Sequence, residues 1–134
     1  MTPRFAYDQS CEPPAPVLPL RLTAPGGEMA VLLVAMVDTG ADCSLIPARV
    51  ARDLRLPAVD RALLEGVGGR AGLATVHAAS VELPGLRCLA QVVAHGSEAL
   101  IGRDLLRRLV LRLDGPADEL TLARMRRRRD PARS

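Results

Sequence analysis

The chain has 134 residues, 49% hydrophobic but only 1% aromatic, with a formal net charge of +3. That length suits one domain with a modest core of Leu, Val, Ala and Ile, and excludes a two-domain enzyme. So few rings also exclude a stacking platform for nucleic acid bases, and all 18 basic residues are arginines, dispersed until the last ten positions.

Residues 1–16 carry Pro3, Pro13, Pro14 and Pro16, a composition that blocks regular ladders and predicts an extended or poorly ordered arm. Val17 to Thr23 alternates apolar and other residues and breaks at Pro25-Gly26-Gly27, which predicts a hairpin with the apolar run Met29 to Val37. Nine apolar residues are too short to span a bilayer and, with valines at 31, 34 and 37, read as a central strand. This strand delivers Asp38-Thr39-Gly40-Ala41-Asp42, a tight turn, before the chain resumes at Ser44-Leu45-Ile46-Pro47. A carboxylate between two apolar segments needs a hydrogen-bonding cradle or a chemical task.

After Pro47, the residues Val50, Leu54 and Leu56 predict a short amphipathic helix ending before Pro57. Leu63 to Val67 and Leu73 to Leu83 flank Gly66, Gly68, Gly69 and Gly72, a long hairpin with a glycine-rich tip. Pro84-Gly85 is a turn into a strand at Leu86 to Ala94. Leu100 to Leu109 has helical spacing, followed by strands at Val110 to Leu113 and Glu119 to Ala123. Residues 124–134, with Arg126 to Arg129, read as a solvated tail.

The run Val34 to Asp42, with Asp-Thr-Gly at its centre, resembles the active-site turn of retropepsin-type aspartic proteases. Two further stretches follow in the order that family requires: Gly66-Val67-Gly68-Gly69, similar to its flap, and Ala99 to Leu106, similar to its late apolar-Gly-Arg motif. The resemblance covers residues 17–123 and implies an all-β, closed acid-protease barrel subunit with one or two short helices, homodimeric and of the single-domain type related to retroviral proteases. It also implies an aspartic endopeptidase. The reaction needs two carboxylates sharing a proton, whereas Asp-Thr-Gly occurs once here, so the second Asp38 must come from another copy.

By that resemblance Asp38 is catalytic, Thr39 bonds across the dimer axis, and Gly40 permits the tight turn. Ala41 and Asp42 line the substrate site, and Gly68, Gly69 and Arg70 form a closing flap tip, Arg70 favouring acidic or polar substrate positions. Gly102 and Arg103 support the turn, with Arg103 in a bidentate pair with Asp42. Ala41 lacks the hydroxyl of a serine, which places the activity optimum nearer mildly acidic or neutral pH than strongly acid. The substrate is an extended peptide held largely by main-chain hydrogen bonds.

A retropepsin-like module that dimerises or binds peptides with little turnover is the alternative from another class. His77, His95, Cys11, Cys43 and Cys88 lack metal-ligand spacing, so no metal or cofactor is expected. Ser44 has no elbow motif or nearby histidine to make it a nucleophile. The odd cysteine count and the lack of an apolar leader predict a reduced, cytoplasmic setting, without nucleic-acid or membrane partners.

Overall fold

The computed structural model describes residues 2–65 and 71–123. The alternation read in the first strand is physical: in β2 (Val17–Thr23) Leu18, Leu20 and Leu22 point inward and are almost wholly buried. Each such leucine contributes roughly 1.5–3 kcal/mol by leaving water. Gly26, at φ +72°, turns the chain back into β3 (Ala30–Val37), antiparallel to β2 from Val17↔Met36 to Thr23↔Ala30.

Beyond the Asp38 turn come β4 (Leu45–Ile46), α1 (Ala48–Asp53) and the long hairpin of β5 (Ala58–Glu65) and β6 (Ala71–Leu83). Next are β7 (Leu86–Ala94), β8 (Leu100–Ile101) and α2 (Arg103–Leu106). Six strands pair in the cycle β2, β3, β8, β4, β7, β6 and back to β2, so the sheet closes on itself as a barrel, with β5 hung on β6. Closure leaves none of the six with a free edge along its whole length. The core inside joins Leu18, Leu20 and Leu22 to Ala35, Val37, Ile46, Val81, Val92 and Ile101.

A second, three-stranded sheet is built from β1 (Arg4–Ala6), β10 (Glu119–Leu122) and β9 (Leu111–Asp114), in the order β1-β10-β9. The N-terminal segment therefore does more than extend: its first residues pair with β10 from Arg4↔Thr121 to Ala6↔Glu119. Its two rings, Phe5 and Tyr7, pack on the main core, and the Tyr7 N–H donates to the Asp118 carbonyl at 2.9 Å. Prolines alone predicted an arm without ladders; the aromatic side chains beside them supply the anchoring contact.

The helix predicted from Leu100 to Leu109 is shorter. Leu100 and Ile101 are strand, held between β3 and β4, and Gly102 is extended, so only Arg103–Leu106 coils. Ladder hydrogen bonds on both sides outweigh the apolar spacing that favoured a helix. The hairpin's first strand also begins earlier than predicted, at Ala58, where Val59, Asp60 and Arg61 are all exposed and give no alternation to read. Among the described residues no helix is long and apolar enough to cross a membrane. The arginine-rich tail and the hairpin tip lie outside the described residues.

Candidate active site

Asp38 is set by two strands. Val37, just before it, is buried and donates its N–H to the Pro16 carbonyl, and the Asp38 N–H donates to the Ile101 carbonyl at 2.9 Å. The carboxylate is thus delivered by β3 and clamped to β8, half-buried, with Thr39 and Gly40 exposed after it. The Gly40 N–H donates to Asp38 Oδ1 at 3.0 Å, and a Cβ on Gly40 would stand 3.3 Å from that same oxygen. An amide so close to the carboxylate is the cradle that the apolar surroundings required. The Ala41 N–H closes the turn onto the Asp38 carbonyl at 3.3 Å.

The far side of the turn rests on α2. The Arg103 N–H donates to the Ala41 carbonyl at 2.9 Å, and its Nη1 donates to the Thr39 carbonyl at 3.0 Å. Arg103 also faces Asp42, through Nη2 and Oδ1 at 3.5 Å. The pairing is present but is a single contact rather than the bidentate one expected. One guanidinium nitrogen is spent on Thr39, and both side chains remain largely in solvent. Gly102 is indispensable for space: a Cβ there would meet the Cys43 carbonyl oxygen at 2.5 Å and the Ala41 oxygen at 3.0 Å.

Two residues complete the support, neither assigned that role from sequence, where Ser44 is weighed only as a nucleophile. Ser44, 1% exposed, donates its hydroxyl to Asp104 Oδ1 at 2.7 Å and its N–H to Oδ2 at 3.0 Å. Its Oγ in turn accepts the Gly102 N–H at 3.0 Å. The available signal was a small polar residue opening the apolar run Ser44-Leu45-Ile46, which must find a partner when buried.

The described part of the glycine-rich hairpin reaches this segment. Ala74, Val76 and Val93 form a second apolar cluster, against which Cys43, Leu45, Ala62 and Leu64 pack. Gly68, Gly69 and Arg70 lie outside the described residues. Burial pushes the Cys43 thiol pKa up, and the carboxylates of Asp104 and Asp42 push it further the same way.

Among the described residues no three His, Cys, Asp or Glu side chains gather as a metal site. His77 directs Nδ1 to the Leu56 carbonyl at 2.9 Å. Two acids of the segments that frame the turn are engaged, Asp42 with Arg103 and Asp104 with Ser44. Within its own subunit, then, Asp38 has no idle carboxylate from these two to share a proton with.

The family model described as "gag-polyprotein putative aspartyl protease" matches residues 31–108. Among solved structures, the chain is similar to a retropepsin-like aspartic protease from Rickettsia conorii, at 20% identity over 91% of this chain and 89% of that one, with a TM-score of 0.58. It is also similar to EIAV protease in complex with the inhibitor HBY-793, at 18% identity over 70% of this chain and 86% of that one, TM-score 0.56. A third is the retroviral protease-like domain of Ddi1 from Leishmania major, at 23% identity over 81% and 90%, TM-score 0.50. At such identities the likeness is one of fold. No curated protein matches the chain.

Proposed function

The chain belongs to the family of gag-polyprotein aspartyl proteases and has the retropepsin-like closed barrel; from that premise we propose that it is an aspartic endopeptidase, active as a homodimer. The observation that carries the reading is the single Asp38, cradled by the Gly40 N–H on a turn braced by Arg103, while Asp42 and Asp104 on the segments that frame the turn are engaged with Arg103 and Ser44. Two copies related by a two-fold axis bring two such carboxylates together, and like charges about 3 Å apart share one proton.

In the shared state one Asp38 accepts a proton from a water molecule while the other donates to the oxygen of the scissile carbonyl. The resulting tetrahedral centre collapses as the peptide nitrogen is protonated and leaves. Thr39, exposed on the turn, faces the partner's turn and keeps the two in register, and Gly40 holds the carboxylate with its N–H. Ala41 and Asp42 flank the peptide, Gly68, Gly69 and Arg70 close over it, and Gly102 and Arg103 keep the turn in shape. Unpaired Cys11, Cys43 and Cys88 suit a reducing compartment, the cytoplasm.

The test is cleavage of an unstructured protein, followed across pH, by wild type and by Asp38→Asn, with sedimentation of both. Cleavage by wild type alone, rising with the dimer fraction, is the expected result. Peptide binding without turnover in wild type favours the inactive module instead. A monomer that hydrolyses the substrate overturns the dimeric mechanism.

A further inference from the structure

A cavity of about 420 Å³ opens on the barrel surface, lined by residues of β3 and β8 and of the N-terminal segment. Its position follows from strand geometry. The Met36 N–H donates to the Ala99 carbonyl and the Asp38 N–H to the Ile101 carbonyl, so the ladder onto β8 runs on through Asp38. Residues two apart on a strand project from one face, about 7 Å apart. Met36 lines the cavity together with Leu100, its ladder partner, so the cavity begins one side-chain spacing from the carboxylate.

Val17, Met36 and Leu100 give the lining an apolar part, and three charged residues complete it. Asp8 and Glu98 reach it from two separate segments, against one cation, Arg49. The lining is therefore net negative, and among the described residues none of these three groups is in an ion pair. Asp8 is held in place by Ser10, whose Oγ–H and N–H donate to Oδ1 at 2.6 and 2.9 Å. Those two bonds, the hydroxyl's first, hold its carboxyl below the ordinary carboxylate range, so it stays ionised. Asp8 belongs to the loop closed by the Asp8↔Ala15 bridge, which makes the N-terminal segment a wall of this cavity.

We propose that this cavity is a specificity subsite taking the long cationic side chain, arginine or lysine, of a substrate residue close to the scissile bond. The inference rests on the peptidase reading above. A methylene stem lies along Met36 and Leu100 while the charged head meets Asp8 and Glu98. An acidic side chain meets two like charges, and an apolar one strips water from two carboxylates with nothing in return. At about 420 Å³ the cavity lies within the range of small-ligand sites and has room for an extended arginine or lysine side chain.

The experiment uses the full chain and a set of peptides of one unstructured sequence, scanned position by position with Arg, Lys, Leu and Glu. At one position Arg and Lys should exceed Glu at least tenfold in kcat/KM, and Glu98→Lys, an exposed substitution, should reverse that order. Asp8→Lys provides the second variant. Equal rates for the four residues, or a preference that both variants leave unchanged, overturns the proposal. Anisotropy of labelled Arg and Glu peptides on Asp38→Asn separates the two readings. Tighter binding of the Arg peptide with no cleavage by wild type sinks the peptidase reading and keeps the subsite; cleavage without any charge preference does the reverse.

Discussion

Ser44 and Asp104 are joined by two hydrogen bonds across 60 residues of chain, at 2.7 and 3.0 Å, and this pair fastens the segment after the Asp38 turn to α2. Because Ser44 Oγ also accepts the Gly102 N–H, removing the hydroxyl costs more than one bond. Ser44→Ala leaves a buried N–H without its acceptor and Asp104 short of a donor. The expected loss is about 1–3 kcal/mol, read as a lower urea midpoint with an unchanged slope. A midpoint within error of wild type sinks this account.

Asp104 must be an acceptor on both oxygens. It takes the Ser44 N–H and hydroxyl and also the N–H of Leu105 at 2.9 Å. Asp104→Asn turns one oxygen into an NH2 group that confronts a donor, so about 1–2 kcal/mol of destabilisation is expected. Pairing it with Ser44→Ala should give a double-mutant loss well below the sum of the singles. Additive losses would show that the two residues do not act as a unit.

Two glycines should fail for different reasons. Gly102→Ala drives a methyl to 2.5 Å from a backbone oxygen, and the upper end of the roughly 1–3 kcal/mol range of overpacking is expected. Gly85 lies at φ +79° with open space around it, so Gly85→Ala costs only the left-handed strain of about 1–2 kcal/mol. Thermal melts rank the two, and peptide cleavage separates them further. Only the Gly102 change presses on Ala41 and Cys43 and should lower kcat.

Arg103→Lys tests how much of the brace is charge. The Asp42 contact is solvent-exposed, so its Coulombic share is about 0–1 kcal/mol. Lysine keeps that charge but loses the planar fork that reaches Thr39 at the same time. Melting should move little while kcat/KM falls several-fold. An unchanged kcat/KM would assign Arg103 to the surface alone.

Much of this architecture was legible because the core strands carry their own period. Leu18, Leu20 and Leu22 alternate in sequence and are buried in alternation, and Leu86 to Ala94 is bounded by a Pro-Gly turn. The Asp38 turn, Gly102 and Arg103 were readable as ordered motifs. The two-residue strands β4 and β8 were not, since two residues define no period and only their neighbours make them strands. Ser44 and Asp104 escaped for a related reason: their significance is a contact between distant segments. The N-terminal wall of the cavity was hidden by prolines that suggested a loose arm.

Cys43 offers a check on the electrostatics of the turn. Burial disfavours its thiolate, and Asp104 and Asp42 add like charge, so its pKa in the folded chain lies above the unfolded value. By linkage, this group's stabilising contribution is fully present below the unfolded thiol pKa. It is lost as pH rises through the folded one. The pH profile of iodoacetamide reaction at Cys43, in a Cys11→Ser, Cys88→Ala background, should have its midpoint displaced to higher pH relative to the same chain in urea. Asp42→Asn should move the folded midpoint part of the way back, since burial remains the larger cause. Coincident midpoints in folded and unfolded chains would mean that the thiol feels neither the barrel nor the acids, and that the turn is more open than its hydrogen bonds require.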